Sequence, residues 1–311
     1  MSARLAWLVR RIVLGVMVVL GAATAAFAAM HLMPGDPVQA MLGQSGRTPE
    51  LVARVRHDTG LDRPLYEQYG LFLGRLARGD LGTSYQLQET VTELIRSQVW
   101  STVALSLAGF LLAIVIAVPV AVATAARRPA WRRLTSTVEL VLASVPGFWI
   151  GVLLLTVFSF HWQLFPAVGG TGARGLVLPA LTLALTLVGV FTQVLREEME
   201  RALREPFVLS SRARGAGETT VRLRHALRHA LIPLLTLSGW TVGTLLTGAV
   251  TIETVFNRPG VGRLLVTAVD SRDFPVISGV VVLSAAVFAV ISIGTDWLYT
   301  IVDARVREVR T

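Results

Sequence analysis

Six stretches of this chain, 12–33, 97–126, 140–160, 175–195, 230–252 and 274–295, contain no aspartate, glutamate, lysine or arginine. An ionised side chain at the centre of a bilayer costs roughly 2.5 to 3.5 kcal/mol on insertion scales, so such stretches mark where lipid replaces water. At about 1.5 Å per helical residue, each is long enough to cross a hydrocarbon core of about 30 Å. The pattern predicts an all-α, polytopic membrane protein with six transmembrane helices, shorter in places than the runs themselves. The first run follows Arg10 and Arg11 and contains Ala26-Phe27-Ala28, so a cleaved signal peptide is the competing reading. It exceeds the roughly 7 to 15 apolar residues of a signal core and five more runs follow, so a retained first helix is expected.

Composition narrows the chemistry. With 53% hydrophobic and 16% charged residues, the chain is too apolar for a soluble domain of 311 residues to hide within one core. The net charge of +9 comes with 29 basic residues that are all arginine and gather between the apolar runs. A membrane surface explains them better than nucleic acid does. Without cysteine there is no disulfide, thiol nucleophile or Cys-ligated metal. Without lysine there is no Walker-type phosphate lysine and no Schiff base. ATP, if the system uses it, must be hydrolysed by another chain. No HExxH, G-x-S-x-G or glycine-rich phosphate loop occurs, so no catalytic, cofactor or metal site is expected here. His225 and His229 have metal-ligand spacing but no evident third ligand, and read as part of a basic helix face.

Arginine in the short connections sets the direction. Arg4, Arg10 and Arg11 precede the first span; Arg127, Arg128, Arg132 and Arg133 separate spans two and three; Arg305, Arg307 and Arg310 follow the sixth. Arg196, Arg201, Arg204, Arg212, Arg214, Arg222, Arg224 and Arg228 lie between spans four and five, against Arg174, Arg258, Arg263 and Arg272 on the other side. Both termini are expected in the cytoplasm. The organisation is then 1–33 for the N-terminus and first helix, 34–96 for an external subdomain, 97–300 for the remaining spans with a cytoplasmic segment 197–229, and 301–311 for a tail. Within the subdomain, Thr48-Pro49-Glu50 reads as an N-cap, first-turn proline and dipole-favourable acid, with Gly60 as a stop. A second helix is expected from near Asp62 and Pro64 to Gly79, followed by a turn at Gly79-Asp80-Leu81-Gly82.

Glu139, Glu253 and Asp296 fall at span ends and are expected to be interfacial groups or helix-end anchors. No acid lies in mid-span, which disfavours ion-coupled transport. Thr182, Thr186, Gly189 and Gln193 in span four, and Thr241, Thr244, Gly248 and Thr251 in span five, recur every three or four residues. These stripes either line a solute path or let helices approach closely. The pairs Gly147 and Gly151, and Gly239 and Gly243, suit packing, while Pro119, Pro146 and Pro233 are expected to kink or delimit helices.

The segment 205–233 says most. Glu205-Pro206 suits a helix start and Gly215-Ala216-Gly217 a break, predicting a short helix, a turn and a second helix leading into span five. The run Ser211-Arg212-Ala213-Arg214-Gly215, with Pro233 eighteen positions beyond Gly215, resembles the EAA loop of ABC importer permeases. Leu209 stands where that loop's glutamate is expected, so contacts made by that acid are not carried over. Further motifs resemble the B-type permease of dipeptide and oligopeptide importers. They are Leu32-Met33-Pro34-Gly35-Asp36-Pro37, Gly60-Leu61-Asp62-Arg63-Pro64-Leu65, Gly79-Asp80-Leu81-Gly82-Thr83-Ser84, Glu253-Thr254-Val255-Phe256 with Pro259-Gly260-Val261-Gly262, and Arg272-Asp273-Phe274-Pro275. Asp303-Ala304-Arg305 departs from the family, which more often has proline in the middle.

The resemblance implies a type I ABC importer permease fold in a bacterial inner membrane. It implies a paralogous C-type permease as partner, two ATPase domains carrying ATP and magnesium, and an extracytoplasmic solute-binding protein. Ser210, Ser211, Arg212, Ala213, Arg214, Gly215, Ala216 and Gly217 are then the ATPase-coupling segment. Thr182, Thr186, Gln193, Thr241, Thr244 and Thr251 are pathway candidates, and Asp80, Glu253, Phe256, Arg258 and Gly260 are candidates for docking the binding protein. Dipeptides or oligopeptides are the expected solutes, with haem, glutathione or a nickel chelate as alternatives. An ATP-independent channel or a signalling protein would lack the ATPase partners.

Overall fold

The computed structural model describes residues 3–32, 37–42, 48–126, 129–167 and 172–302. Residues 33–36, Arg127, Arg128, the side chain of Asp296 and the tail motif at 303–305 lie outside that description. The helices in chain order are α1 Ala3–Leu32, α2 Pro37–Leu42, α3 Pro49–Asp58, α4 Leu65–Ala77, α5 Val91–Thr124, α6 Pro129–Ser144 and α7 Gly147–Leu154. They continue with α8 Gly172–Ala202, α9 Pro206–Ala213, α10 Glu218–Thr220, α11 Leu227–Val255, α12 Val261–Asp270 and α13 Phe274–Val302. Two π-helical stretches, Leu155–His161 and Val221–Ala226, extend α7 and join α10 to α11. Among the described residues the β structure is confined to a bridge between Thr83 and Thr90.

Among the described residues each of the six apolar runs is mainly helical. Four form single helices with spans at Ala6–Leu32, Val91–Thr124, Gly172–Ala202 and Phe274–Thr295. The other two are bent, which a count of apolar residues could not show. The expected third span turns by 102° between α6 and α7. Pro146 lies at the corner with φ −57° and ψ 136°, since its ring excludes the helical region for the residue before it and it has no amide to donate. The fifth bends by 62° between Gly239 and Gly243 rather than at Pro233, while Pro119 is accommodated inside α5.

The chain divides into two compact units. One comprises Met1–Ser101 and Gly260–Ile293, the other Thr102–Pro259 and Gly294–Thr311.

In the first unit the local signals of the sequence are realised closely. Thr48 caps α3 by accepting from the Leu51 amide at 3.3 Å, and the first residue of the helix is Pro49. Helices α3 and α4 both end with a left-handed glycine, Gly60 and Gly79, whose following amide reaches back to the carbonyl five residues earlier. The Asp80 carboxylate then fixes the next turn by accepting from the Gly82 amide at 2.8 Å. Buried Asp273, at the start of α13, accepts from the Ser84 hydroxyl and the amides of Tyr85 and Gln86, which pins the 84–88 loop. Val91, Leu94, Ile95, Val261, Ala268, Val276 and Val280 form the core.

His57 Nδ1 lies 2.7 Å from Asp62 Oδ2 on the surface of this unit. The hydrogen bond and the carboxylate's charge raise the imidazole above its ordinary value, and the same bond holds the Asp62 carboxyl below its own. The histidine's contribution is complete below its ordinary pKa and is lost as pH rises through the raised folded value. The aspartate's is present above its ordinary pKa and is lost as pH falls through the lowered one. Asp62→Asn is therefore expected to return His57 to its ordinary titration in an NMR experiment; an unchanged midpoint would contradict the pairing.

The second unit is built on α8, which is packed by α6, α7 and α11. Phe191, Leu105, Leu183, Leu195, Met199 and Ile252 are its largest enclosed apolar side chains. Small residues set the spacing. A Cβ on Gly189 would lie 2.7 Å from the Glu139 carbonyl oxygen, and one on Gly109 2.9 Å from Leu183. The obstacle at Gly189 is backbone, so Gly189→Val must separate α6 from α8. We expect a loss of about 1–3 kcal/mol in a denaturation titration, and no change would contradict the tight crossing.

Candidate functional site

The elbow between α8 and α11 forms because its ends are chemically marked. Pro206 is the first residue of α9, where a missing amide costs nothing. At the other end the Gly215 amide donates to the Arg212 carbonyl at 2.9 Å and the Ala216 amide to that of Ser211 at 3.1 Å. This double closure needs a left-handed residue between them, and Gly215 has φ +85°. Val208 and Ser211 are buried and anchor α9, leaving Leu209, Ser210, Arg212, Ala213, Arg214, Gly215 and Gly217 exposed, with Ala216 half-buried. Leu209 is 71% exposed, an apolar side chain held out from its own fold. Arg212 crosses the turn to Glu218, with Nε 2.8 Å from Oε1 and Nη2 3.3 Å from Oε2. Both groups are open to water, so the pair shapes the loop more than it stabilises the protein.

The elbow is tied to the second unit at several points. Arg222 donates from Nη1 to the Val122 carbonyl at 3.1 Å, satisfying an acceptor near the end of α5. Phe207 of α9 packs against His229, with ring centroids 4.9 Å apart, and against His225 at 6.5 Å. Just before α9, Arg196 of α8 and Glu139 of α6 form a two-pronged ion pair, both bonds 2.6 Å, at 5% and 7% side-chain exposure. Arg196 also donates to the hydroxyls of Thr135 and Ser136 at 3.3 and 3.2 Å. Glu200 reaches Arg132 at 3.4 Å. Glu139, expected as an interfacial group or a helix-end anchor, is thus a buried, paired carboxylate between two helices. Helix α6 begins ten residues before it, at Pro129, which puts it inside a helix facing α8.

Glu253 departs from expectation in the same way. It is fully enclosed, and the Thr102 hydroxyl donates to its Oε1 at 2.6 Å. Among the five docking candidates, Glu253, Phe256 and Gly260 are buried and offer no surface to a partner, while Asp80 is exposed and Arg258 half-exposed. Burial holds the Arg258 guanidinium below its ordinary value, with Glu253 opposing that shift.

The threonine stripes divide likewise. Thr182 and Thr241 are enclosed and bond back to the carbonyls of Leu178 and Leu237, both at 2.8 Å. Thr186 is half-buried, its methyl 3.0 Å from where a Gly147 Cβ would lie, so these three are helix-packing positions. Gln193 is exposed and donates to Glu197 at 3.2 Å. Thr244 and Thr251 are exposed on α11 together with Thr247 and Thr254. Sequence reasoning missed the last two, although their three- and four-residue spacing from the others was available.

Over residues 109–308 the chain matches the binding-protein-dependent transport system inner membrane component, and over residues 4–106 the N-terminal region of such membrane components. The chain belongs to that family. It is the permease subunit of an ABC importer, a multi-pass inner membrane protein that works with ATPase and substrate-binding partners.

Relatives match the permease along most of its length. A Brucella abortus (strain 2308) protein provisionally named a peptide transport system permease is 36% identical over 312 residues, covering 97% of this permease and 99% of the relative. The glutathione transport system permease protein GsiC of Salmonella paratyphi A is 36% identical over 282 residues, or 90% and 92% of the two chains. A chain from inward-facing structures of the MetNI methionine ABC transporter superposes with a TM-score of 0.56 at 21% identity, covering 68% of the permease and 96% of that chain. That likeness concerns the fold.

Proposed function

We propose that this permease forms one half of the pore of an ATP-driven importer of short peptides, a class that includes glutathione, and that ATPase subunits drive it through α9. Relatives named for peptide and glutathione transport support the solute class. The other half of the pore is a second, paralogous permease, a solute-binding protein delivers the peptide, and ATP and magnesium are bound by the ATPases. Both termini and the elbow lie in the cytoplasm, on the side where arginine accumulates.

The observation that carries the reading is Leu209, 71% exposed on a short helix that is otherwise anchored by Val208 and Ser211 and closed at Gly215. Such a knob, flanked by exposed Arg212 and Arg214, fits a groove with an apolar floor and an acidic rim. Movement of α9 reaches α5 through Arg222, and the clamp of Arg196 on Glu139 makes α8 and α6 follow together. The exposed row Thr244, Thr247, Thr251 and Thr254 supplies hydroxyls for a solute path, while Asp80 and Arg258 are the docking candidates that retain surface.

The chain contains no cysteine, so Leu209→Cys creates a unique thiol. In membranes holding the assembled importer, a short bifunctional reagent is expected to join it to an ATPase subunit. Thr83→Cys, exposed in the first unit, should give no such product. Absence of the Leu209→Cys product in complexes that still import peptide would contradict the assignment.

A further inference from the structure

The first unit contains a cavity of about 600 Å3 lined by none of the residues assigned above to the elbow or to the solute path. Two membrane helices meet there: α1 brings Phe27 and Met30 from its C-terminal end, and α13 brings Ile277 and Val282 from its N-terminal end. Helix α4 and its flanking turns add Arg63, Arg75, Gln68, Asp80, Tyr85 and Gln88. The membrane helices supply no charge to the lining, and the connecting segments supply all of its charges together with Leu61, Leu71, Phe72 and Leu76. The volume is in the range of about 300–1,000 Å3 that small-ligand sites occupy.

The charges are of both signs and largely uncommitted. Neither Arg63 nor Arg75 makes an ion pair among the described residues. Asp80 uses one carboxylate oxygen on the Gly82 amide, leaving the other. Asp58 also lines the cavity, and His57 is engaged with Asp62. Burial pushes the Tyr85 phenol up to about 12, so it stays a hydrogen-bond donor at any physiological pH. A ligand that satisfies this lining carries an anion, a cation and an apolar part. Most of α1 is uncovered within this chain, and Ala29 of the cavity wall is itself exposed, which leaves a side from which an acyl chain can reach the cavity.

We propose that the cavity binds an ethanolamine phospholipid, the phosphate between Arg63 and Arg75, the ammonium at Asp80, and the acyl chains along α1 and α13. A doubly pronged guanidinium contact suits a phosphodiester, and a lipid can leave its tails in the bilayer while only its head group enters. A zwitterionic peptide presents the same pair of charges without tails, and the test separates the two. The inference stands independently of the solute assigned to the importer.

The chain, in nanodiscs of phosphatidylcholine doped with phosphatidylethanolamine or with phosphatidylglycerol, is released into native mass spectrometry and its retained lipid is counted. The unaltered chain is expected to retain phosphatidylethanolamine in preference. Arg63→Ala and Arg75→Ala should each reduce retention about tenfold. Asp80→Asn, which keeps the acceptor for Gly82, should abolish the preference over phosphatidylglycerol. Arg78→Ala, outside the lining, should change nothing. In the unaltered chain, phosphatidylethanolamine with a photoreactive head group should label residues 75–88. Equal retention of both lipids, retention unaffected by the arginine variants, labelling confined to other segments, or displacement of the label by excess dipeptide would each overturn the proposal.

Discussion

Arg196→Ala is expected to lower the stability of the permease by about 3–5 kcal/mol, the largest single-residue effect anticipated in this fold. The guanidinium makes two 2.6 Å bonds to Glu139 in a setting where both side chains are nearly enclosed. Removing it leaves a nearly enclosed carboxylate without its cationic partner, with its desolvation uncompensated. Removing both charges in Glu139→Leu/Arg196→Met should recover most of the loss, because a buried pair and a well-packed apolar pair of similar volume differ little in net stability. Arg201→Ala breaks only an exposed pair with Glu198 and should cost no more than about 0.5 kcal/mol. A denaturation titration in detergent distinguishes these three. Equal behaviour of Arg196→Ala and Arg201→Ala would show that the clamp does not hold α6 to α8.

Gly215→Val should have the second large effect, on transport more than on folding. A β-branched residue at φ +85° is disfavoured by about 1–2 kcal/mol, and relief of that strain undoes the closure of α9 on Ser211 and Arg212. The knob at Leu209 then loses its fixed direction. If misalignment costs the coupled step about 1.4 kcal/mol or more, import falls by at least about tenfold. Gly215→Asn is the informative companion, since asparagine tolerates the left-handed region and should leave import near normal.

What the sequence revealed and what it hid divide along physical lines. Helix α3 was legible from Thr48, Pro49, Glu50 and Gly60, and the elbow from Pro206 and Gly215, because caps and left-handed turns are chemistry within a few residues. The pairing of Glu139 with Arg196 spans 57 positions and depends on α6 starting at Pro129, a first-turn proline like Pro49 and Pro206 that lies ahead of the apolar run and was not read as a helix start. Pro146 was visible as a break, but the 102° turn it permits is fixed by how α6 and α7 each pack on α8. The threonine stripes were legible only as a spacing of three or four residues. Which edge of each faces outward depended on neighbours such as Leu183 against Gly248, so Thr241 fell inside and Thr247 outside. Asn257 and Arg272 close α11 and α12 with positive φ, as glycine does elsewhere, and gave no glycine to find.

The central claim is that energy from the ATPases enters this chain through the elbow. The most direct measurement is the ratio of peptide imported to ATP hydrolysed, in vesicles reconstituted with the complete importer carrying Gly215→Val or Gly215→Asn. The claim predicts that hydrolysis continues with Gly215→Val while import drops about tenfold or more, and that Gly215→Asn keeps the normal ratio. An unaltered ratio in correctly inserted Gly215→Val complexes would contradict it.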